Sequence, residues 1–166
     1  MQTHTVWMPS KFGKAVYQSS DEVSGGGAIQ PGQQSASKVK KVKEDSQGIA
    51  LVVDDSQTER IHLEHILKDA GFEVLLANSG NKAKKLAVLH LPSIIFLDII
   101  MEDGDGYQTC RYLRRHPATQ HIPIIMVSSK ANPVDIQWAE KLGANAYIVK
   151  PFSADTVLQK LATLRQ

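Results

Sequence analysis

The chain has 166 residues, of which 42% are hydrophobic, enough to bury one ordinary core with some residues left over. Its formal net charge of +2 arises in the segment up to Gln47, where six lysines face four acidic residues; the rest of the chain has thirteen of each sign. A balanced domain of this kind lacks the concentrated positive charge of a nucleic-acid-binding domain. We therefore expect no direct contact with nucleic acid.

The cellular compartment is indicated by cysteine usage and by the absence of targeting signals in the sequence. Cys110 is the only cysteine, so no internal disulfide can form and a reducing compartment is expected. No segment approaches the ~18 consecutive apolar residues of a membrane-spanning helix. The N-terminus also lacks the apolar core and cleavage site of a signal peptide. These features predict a cytoplasmic protein without a membrane span.

Residues 1–47 are predicted to form a flexible N-terminal extension, because they lack sustained periodicity and are rich in glycine and polar residues. This extension includes a possible docking segment, whose apolar residues are Val6, Trp7, Met8, Phe12, Val16 and Tyr17. The segment could bind a partner, fold back onto the domain, or do neither. The folded domain is predicted to span residues 48–166.

From Ile49 onward, strands alternate with helices, a pattern that predicts βαβ units and a parallel sheet. The predicted strands are Ile49–Val53, Glu73–Ala77, Ser93–Asp98, Pro123–Val127 and Ala146–Val149. Helices are predicted to follow Ser56, to cover Gly80–His90, to carry Tyr107, Cys110 and Leu113 on one face, and to begin at Asn132 and Ser153. The last helix is predicted to face the core with Val157, Leu158, Leu161 and Leu164.

Four of these strands end in chemically distinctive residues, which are Asp54 and Asp55, Asp98, Ser128, and Lys150. The carboxyl ends of parallel strands meet at one edge of a sheet, where ligands bind, so these side chains are expected to converge. Clustered carboxylates repel one another unless a cation is present. Oxygen ligands without histidine or cysteine favour Mg²⁺.

The same residues are suited to phosphoryl transfer. Asp98 can act as a nucleophile on phosphorus, because carboxylates form acyl-phosphate intermediates. Such chemistry depends mainly on neutralising the charge of the phosphoryl oxygens. Lys150 provides a fixed positive charge for this purpose, and Ser128 offers a hydroxyl to another phosphoryl oxygen.

Residues 48 to about 165 resemble the receiver domain of two-component response regulators. The resemblance rests on DD after the first strand, D after the third, S after the fourth and KPF after the fifth. It implies a doubly wound α/β fold, flavodoxin-like, with a five-stranded parallel sheet in the order 2-1-3-4-5. It also implies that Asp98 accepts a phosphoryl group from a histidine kinase or a phosphotransfer domain.

The resemblance assigns further roles, residue by residue. Asp55 would be a direct Mg²⁺ ligand assisted by Asp54, and the protein's ligand set would be completed by Asp98 and the backbone carbonyl of Ile100. Lys150 would bind the phosphoryl group, and the peptide bond before Pro151 is often cis in this family. Ser128 and Tyr147 would be the switch residues. A downstream protein would bind the last two helices and the fifth strand.

Two residues in the loop that follows Asp98 distinguish this chain from the common family pattern. Glu102 follows Met101 where the family commonly has proline, which favours either tighter cation binding or a looser loop. Ile100 lies two residues after Asp98, where its side chain could screen an acyl phosphate from water. We hypothesise that self-dephosphorylation is slow.

The favoured interpretation is a stand-alone response regulator that signals through protein contacts and catalyses only its own phosphorylation and dephosphorylation. The stretches SQTER and RHPATQHIPIIMVSSK resemble single-domain regulators of chemotaxis-like systems that control type IV pilus twitching. One alternative is a pseudo-receiver scaffold that works without phosphorylation, although the intact set of site residues disfavours it. Another is a Mg²⁺-dependent aspartyl phosphatase, a class that typically has a second aspartate where this chain has Ile100.

Overall fold

The computed structural model describes residues 46–102 and 106–165, so the predicted N-terminal extension and its docking segment lie outside the described residues. Ten elements alternate along the described chain. They are β1 (Ile49–Val53), α1 (Gln57–Asp69), β2 (Glu73–Ala77), α2 (Gly80–His90), β3 (Ile94–Asp98), α3 (Gly106–Arg115), β4 (Ile124–Ser128), α4 (Pro133–Lys141), β5 (Ala146–Val149) and α5 (Ala154–Thr163). Every predicted element is present, with ends that differ by a residue or so.

The five strands form one sheet in the order β2-β1-β3-β4-β5, and every neighbouring pair is parallel. This confirms the predicted doubly wound α/β fold. The central strands β3 and β4 are buried along their whole length, which explains their continuous apolar sequences. Helices cover both faces of the sheet: α2, α3 and α4 contribute to one hydrophobic cluster, and α1 and α5 contribute to the other.

Four of the helices begin with a side-chain cap, and these caps fix where the chain turns back after each strand. Ser56, Ser79, Asn132 and Ser153 each accept a hydrogen bond from the backbone N–H three residues further on. Such a cap satisfies one of the N–H groups that a helix leaves unpaired at its start. Helices α1, α4 and α5 therefore start within a few residues of the strand ends that carry the candidate site.

One predicted core position is wrong. Leu158 on α5 is 43% exposed, whereas Val157 and Leu161 are buried and Leu164 packs partly against the same cluster. The buried stripe of α5 follows the spacing i, i+4 and i+7 from Val157, and Leu158 lies one residue, or about 100°, around the helix from it. Hydrophobicity alone does not distinguish a core leucine from one at a surface that another molecule covers.

None of the helices in the described part of the chain has the length and apolar character needed to cross a membrane.

Candidate functional site

The candidate site lies at the carboxyl-terminal edge of the sheet, where β1, β3, β4 and β5 end. Parallel pairing in register places the predicted residues at neighbouring strand ends. Carboxylate oxygens of Asp54, Asp55 and Asp98 all lie within 4.8 Å of one another. The structure therefore brings together the acidic cluster that the sequence predicted.

Asp98 is the buried acid at the end of β3. One carboxylate oxygen accepts a hydrogen bond of 3.3 Å from the Ile100 amide, and the other lies 3.5 Å from Lys150 Nζ. Burial raises the pKa of Asp98 to about 6, with the positive charge of Lys150 opposing the shift and the negative charge of Asp54 adding to it. The carboxylate is thus largely ionised at neutral pH, but in surroundings that disfavour its charge.

Lys150, at the end of β5, contacts both buried acids of the site. Its Nζ donates a hydrogen bond of 2.6 Å to Asp54, which is itself buried and accepts a second bond of 2.8 Å from the Ser56 amide. Burial lowers the pKa of Lys150, but the hydrogen bond to Asp54 and the charge of Asp98 outweigh it and raise that pKa above its usual value. Lys150 is therefore a permanent cation beside the Asp98 carboxylate.

Asp55 is the exposed member of the cluster, and it accepts a hydrogen bond of 3.1 Å from the Glu102 amide. This bond ties the end of β1 to the loop that follows β3. Two buried carboxylates and one exposed carboxylate form an oxygen-only donor set of the kind that Mg²⁺ prefers. The raised pKa of Asp98 shows a burial and charge cost that a cation would offset, so these residues fit the predicted metal.

The predicted switch residues, Ser128 and Tyr147, both contact Lys130 in the loop after β4. Ser128 is fully buried, and its hydroxyl accepts a hydrogen bond of 3.2 Å from the Lys130 amide. The Tyr147 side chain is turned inward, and its hydroxyl donates a hydrogen bond of 2.8 Å to the Lys130 carbonyl. Burial raises the pKa of Tyr147, although its hydrogen bond with Ser128 acts in the opposite direction. A displacement of this loop would therefore break or move the hydrogen bonds of both side chains.

The structure also defines the surroundings of the loop that follows Asp98. The Ile100 side chain is 52% exposed, two residues beyond Asp98, and the Glu102 side chain is exposed. The peptide bond between Lys150 and Pro151 is cis, as the family resemblance implies. The metal role of the Ile100 carbonyl stays a prediction.

Gly106 is a residue beside the site that the sequence motifs do not single out. Its amide donates a hydrogen bond of 2.9 Å to the Ile99 carbonyl, and a β-carbon added to it would lie 2.0 Å from the Asp98 carbonyl oxygen. Only glycine allows this close approach of the start of α3 to Asp98. No sequence signal separates such a glycine from an ordinary loop glycine, because the contact is made across the loop.

The fold and the arrangement of acids, lysine and hydroxyl at the strand ends are those that the resemblance to receiver domains implies. The chain matches the family model described as response regulator receiver domain over residues 50–162, and it belongs to that family.

The chain is similar to two proteins of Pseudomonas aeruginosa. It is 40% identical to Protein PilG over 119 residues, which cover 70% of this chain and 87% of PilG. It is 35% identical to Protein PilH over 111 residues, which cover 67% of this chain and 92% of PilH. Among solved structures, the chemotaxis response regulator CheY4 of Vibrio cholerae matches with a TM-score of 0.67 and 31% identity, over 70% of this chain and 97% of CheY4.

Proposed function

We propose that the chain is a response regulator that accepts a phosphoryl group on Asp98 from a histidine kinase or a phosphotransfer domain. The observation that carries this proposal is the buried Asp98 carboxylate, with Lys150 Nζ 3.5 Å away and two further carboxylates beside it. A nucleophile with a fixed cation and an oxygen-only metal set at its side has the components that phosphoryl transfer needs.

In the proposed reaction, a carboxylate oxygen of Asp98 attacks the phosphorus atom of a phosphohistidine. The new P–O bond forms as the P–N bond breaks, and the leaving imidazole keeps the electron pair and takes up a proton from solvent. Asp54, Asp55 and Asp98, with the Ile100 carbonyl, would hold Mg²⁺, which when bound would neutralise charge on the phosphoryl oxygens. Lys150 would stabilise the same oxygens from its position beside Asp98.

Signalling would start from the loop that joins β4 to α4. A phosphoryl oxygen would attract the Ser128 hydroxyl, which now accepts a hydrogen bond from the Lys130 amide. Because Tyr147 also bonds to Lys130, a shift of Ser128 would move the loop and the tyrosine together. The proposed readout surface is formed by α4, β5 and α5, where the exposed apolar side chains include Val134, Trp138, Val149 and Leu158.

We further propose a pathway for this activity. The similarity to PilG and PilH, together with the likeness to a chemotaxis regulator, supports a role in chemotaxis-like control of type IV pilus motility. We expect the protein to act in the cytoplasm, where a kinase would phosphorylate it and where its single cysteine would stay reduced. Beyond its own phosphorylation and dephosphorylation, we propose no enzymatic activity.

Incubation with acetyl phosphate and Mg²⁺, followed by intact mass spectrometry, tests this function. The wild-type chain should gain one phosphoryl group, and the Asp98→Asn variant should gain none. The Asp55→Asn variant keeps the nucleophile and serves as the matched control, with a strongly reduced yield. A wild-type chain that gains nothing would support the phosphorylation-independent scaffold, and continuous release of phosphate at enzymatic rates would support the aspartyl phosphatase.

A further inference from the structure

We propose that the outer face of α2 and α3 is a second docking surface, which binds an acidic protein segment with an apolar anchor. This surface, the α2–α3 face, is independent of the chemistry at Asp98. Helix α2 packs against β1 and β2 at one edge of the sheet, whereas α4 and α5 pack against β5 at the other. Helix α2 is therefore remote from the readout surface proposed above, and α3, which packs against β3 in the middle of the sheet, lies between them.

The α2–α3 face is strongly basic although the domain as a whole has no excess charge. Neither helix contains an aspartate or a glutamate. Its basic side chains are Lys82, Lys84, Lys85, Arg111 and Arg115. None of the five forms an ion pair with an acidic residue in the described ranges 46–102 and 106–165. The equal numbers of acids and bases in the domain thus conceal a segregation of charge.

The stability of the helices does not explain this segregation. Lys82 stands in the first turn of α2, where a positive charge opposes the helix dipole at a cost of about 0.3–1 kcal/mol. Lys82 with Lys85 and Arg111 with Arg115 are like-charged pairs one turn apart, which are also unfavourable. Only Arg115, in the last turn of α3, is favoured by its position. Charge that weakens its own helices is better explained by an external acidic partner.

Apolar side chains lie among these charges. Val88, Leu89, Leu91 and Tyr112 are all exposed to a third or more of their surface. Lys84 Nζ lies 5.3 Å from the centre of the Tyr112 ring, which links the two helices, and Val88 follows Lys84 by one helical turn. The α2–α3 face thus carries both basic and exposed apolar side chains, a combination found in protein interfaces.

Leu91 is the strongest indication of a specific partner. It ends α2 in a left-handed conformation with φ of 46°, and its side chain is 54% exposed. Glycine is the usual residue there, and a side chain in this conformation costs roughly 1–2 kcal/mol. Among the described residues, Leu91 is the only non-glycine residue with positive φ. A strained, half-exposed leucine is explained if its side chain fills a pocket on a partner.

The chemistry of the α2–α3 face favours a protein over other acidic partners. A nucleic acid would pair with the lysines but would leave the apolar side chains against phosphate. A lipid surface is fluid and does not require a leucine held in one strained position. The first 43 residues of this chain carry six lysines and two acidic residues, so their charge does not complement the α2–α3 face. An acidic segment with a leucine-type anchor matches both features.

The test is a titration of the full-length, unphosphorylated chain, observed by amide NMR shifts. The probe is a synthetic helical peptide with leucine along one side and glutamate elsewhere, and its two counterparts carry lysine for glutamate or alanine for leucine. The acidic leucine peptide should shift amides of α2 and α3, and neither counterpart should do so. Its affinity should fall several-fold when the salt concentration is raised.

Variants test the basic side chains and the apolar side chains of the α2–α3 face separately. The double variant Lys82→Glu and Lys85→Glu should weaken binding at least tenfold, whereas Lys141→Glu on α4 should not change it. Leu91→Gly should weaken binding about tenfold while leaving the melting temperature equal or higher, because glycine relieves the left-handed strain. Val134→Ala, an exposed apolar control, should leave binding unchanged.

Several outcomes would overturn the proposal. The acidic peptide could shift only amides of α4, β5 and α5, or only those of residues 38–43. The charge-reversed peptide could bind equally well, or the acidic peptide could fail to bind at millimolar concentration. Tighter binding to phosphatidylserine vesicles that is insensitive to Leu91→Gly would identify a membrane surface instead. Shifts of α2 and α3 by a synthetic peptide of residues 1–30 that match those of the acidic peptide would identify the chain's own N-terminus. None of these results depends on phosphorylation of Asp98.

Discussion

Replacing Asp98 with asparagine should stabilise the metal-free protein at neutral pH, even though it removes the proposed phosphoacceptor. Burial raises the pKa of Asp98 from 3.8 to about 6, so ionising this carboxyl in the folded protein costs more than in the unfolded chain. At 1.36 kcal/mol for each pKa unit, the shift corresponds to a penalty of about 3 kcal/mol above pH 6. Asparagine has nearly the same shape and no charge, so the variant avoids that penalty.

The sign of the pH dependence follows from the direction of the shift. A carboxyl whose pKa is higher in the folded state binds its proton more tightly there, so it favours folding fully below pH 3.8 and loses that contribution as pH rises through about 6. The difference in unfolding free energy between Asp98→Asn and wild type should therefore be near zero at pH 4 and about 2–3 kcal/mol at pH 8. Urea denaturation with a chelator present, followed by circular dichroism, measures it.

The matched control is Asp55→Asn, which removes an exposed carboxylate from the same cluster. This variant should change the unfolding free energy by less than about 0.5 kcal/mol at any pH. Adding Mg²⁺ should stabilise wild type more than Asp98→Asn, and so narrow the difference between them. An Asp98→Asn variant that is no more stable than wild type at pH 8, or a difference that does not vary with pH, would refute this account of the site.

Three further changes test the surroundings of Asp98, the proposed phosphoacceptor. Lys150→Met leaves Asp54 and Asp98 buried without their cation and should cost about 3–5 kcal/mol of unfolding free energy at pH 7, measured by urea denaturation; an unchanged midpoint would contradict the ion pair. Ile100→Asn should speed loss of the phosphoryl group, because the Ile100 side chain would no longer screen it from water. The loss is timed by intact mass after the phosphodonor is removed, and an equal or slower loss would contradict the screening hypothesis. Gly106→Ala should cost about 3 kcal/mol in thermal melts because its β-carbon overlaps the Asp98 carbonyl, and a wild-type melting temperature would show that the loop can move aside.

The positions of the strands and of the polar residues that end them could be predicted from the sequence. Strands β3 and β4 are short apolar runs, and Asp98 and Ser128 end them, so their burial and their place at one sheet edge followed from parallel packing alone. The helix starts were equally visible, because Ser56 and Asn132 are capping residues at the expected spacing.

Long-range contacts could not be predicted in the same way. The need for Gly106 arises from a backbone atom eight residues earlier, and the exposure of Leu158 depends on how narrow the buried stripe of α5 is. The left-handed conformation of Leu91 was not predictable either, because a leucine before Pro92 is an ordinary residue at the end of a helix. In each case the sequence specifies the residue, but its meaning depends on what the folded chain places beside it.

Arg114 gives the domain a fixed end opposite to the site. Its guanidinium donates hydrogen bonds of 2.7 Å to the Gly143 carbonyl just after α4, 2.7 Å to the Ile122 carbonyl and 2.6 Å to the Asn145 side chain. The first turn of α4, by contrast, adjoins the loop held by Ser128 and Tyr147. Helix α4 is thus fixed at its far end, so a change at the strand edge would displace its first turn most, where the Val134 side chain is exposed.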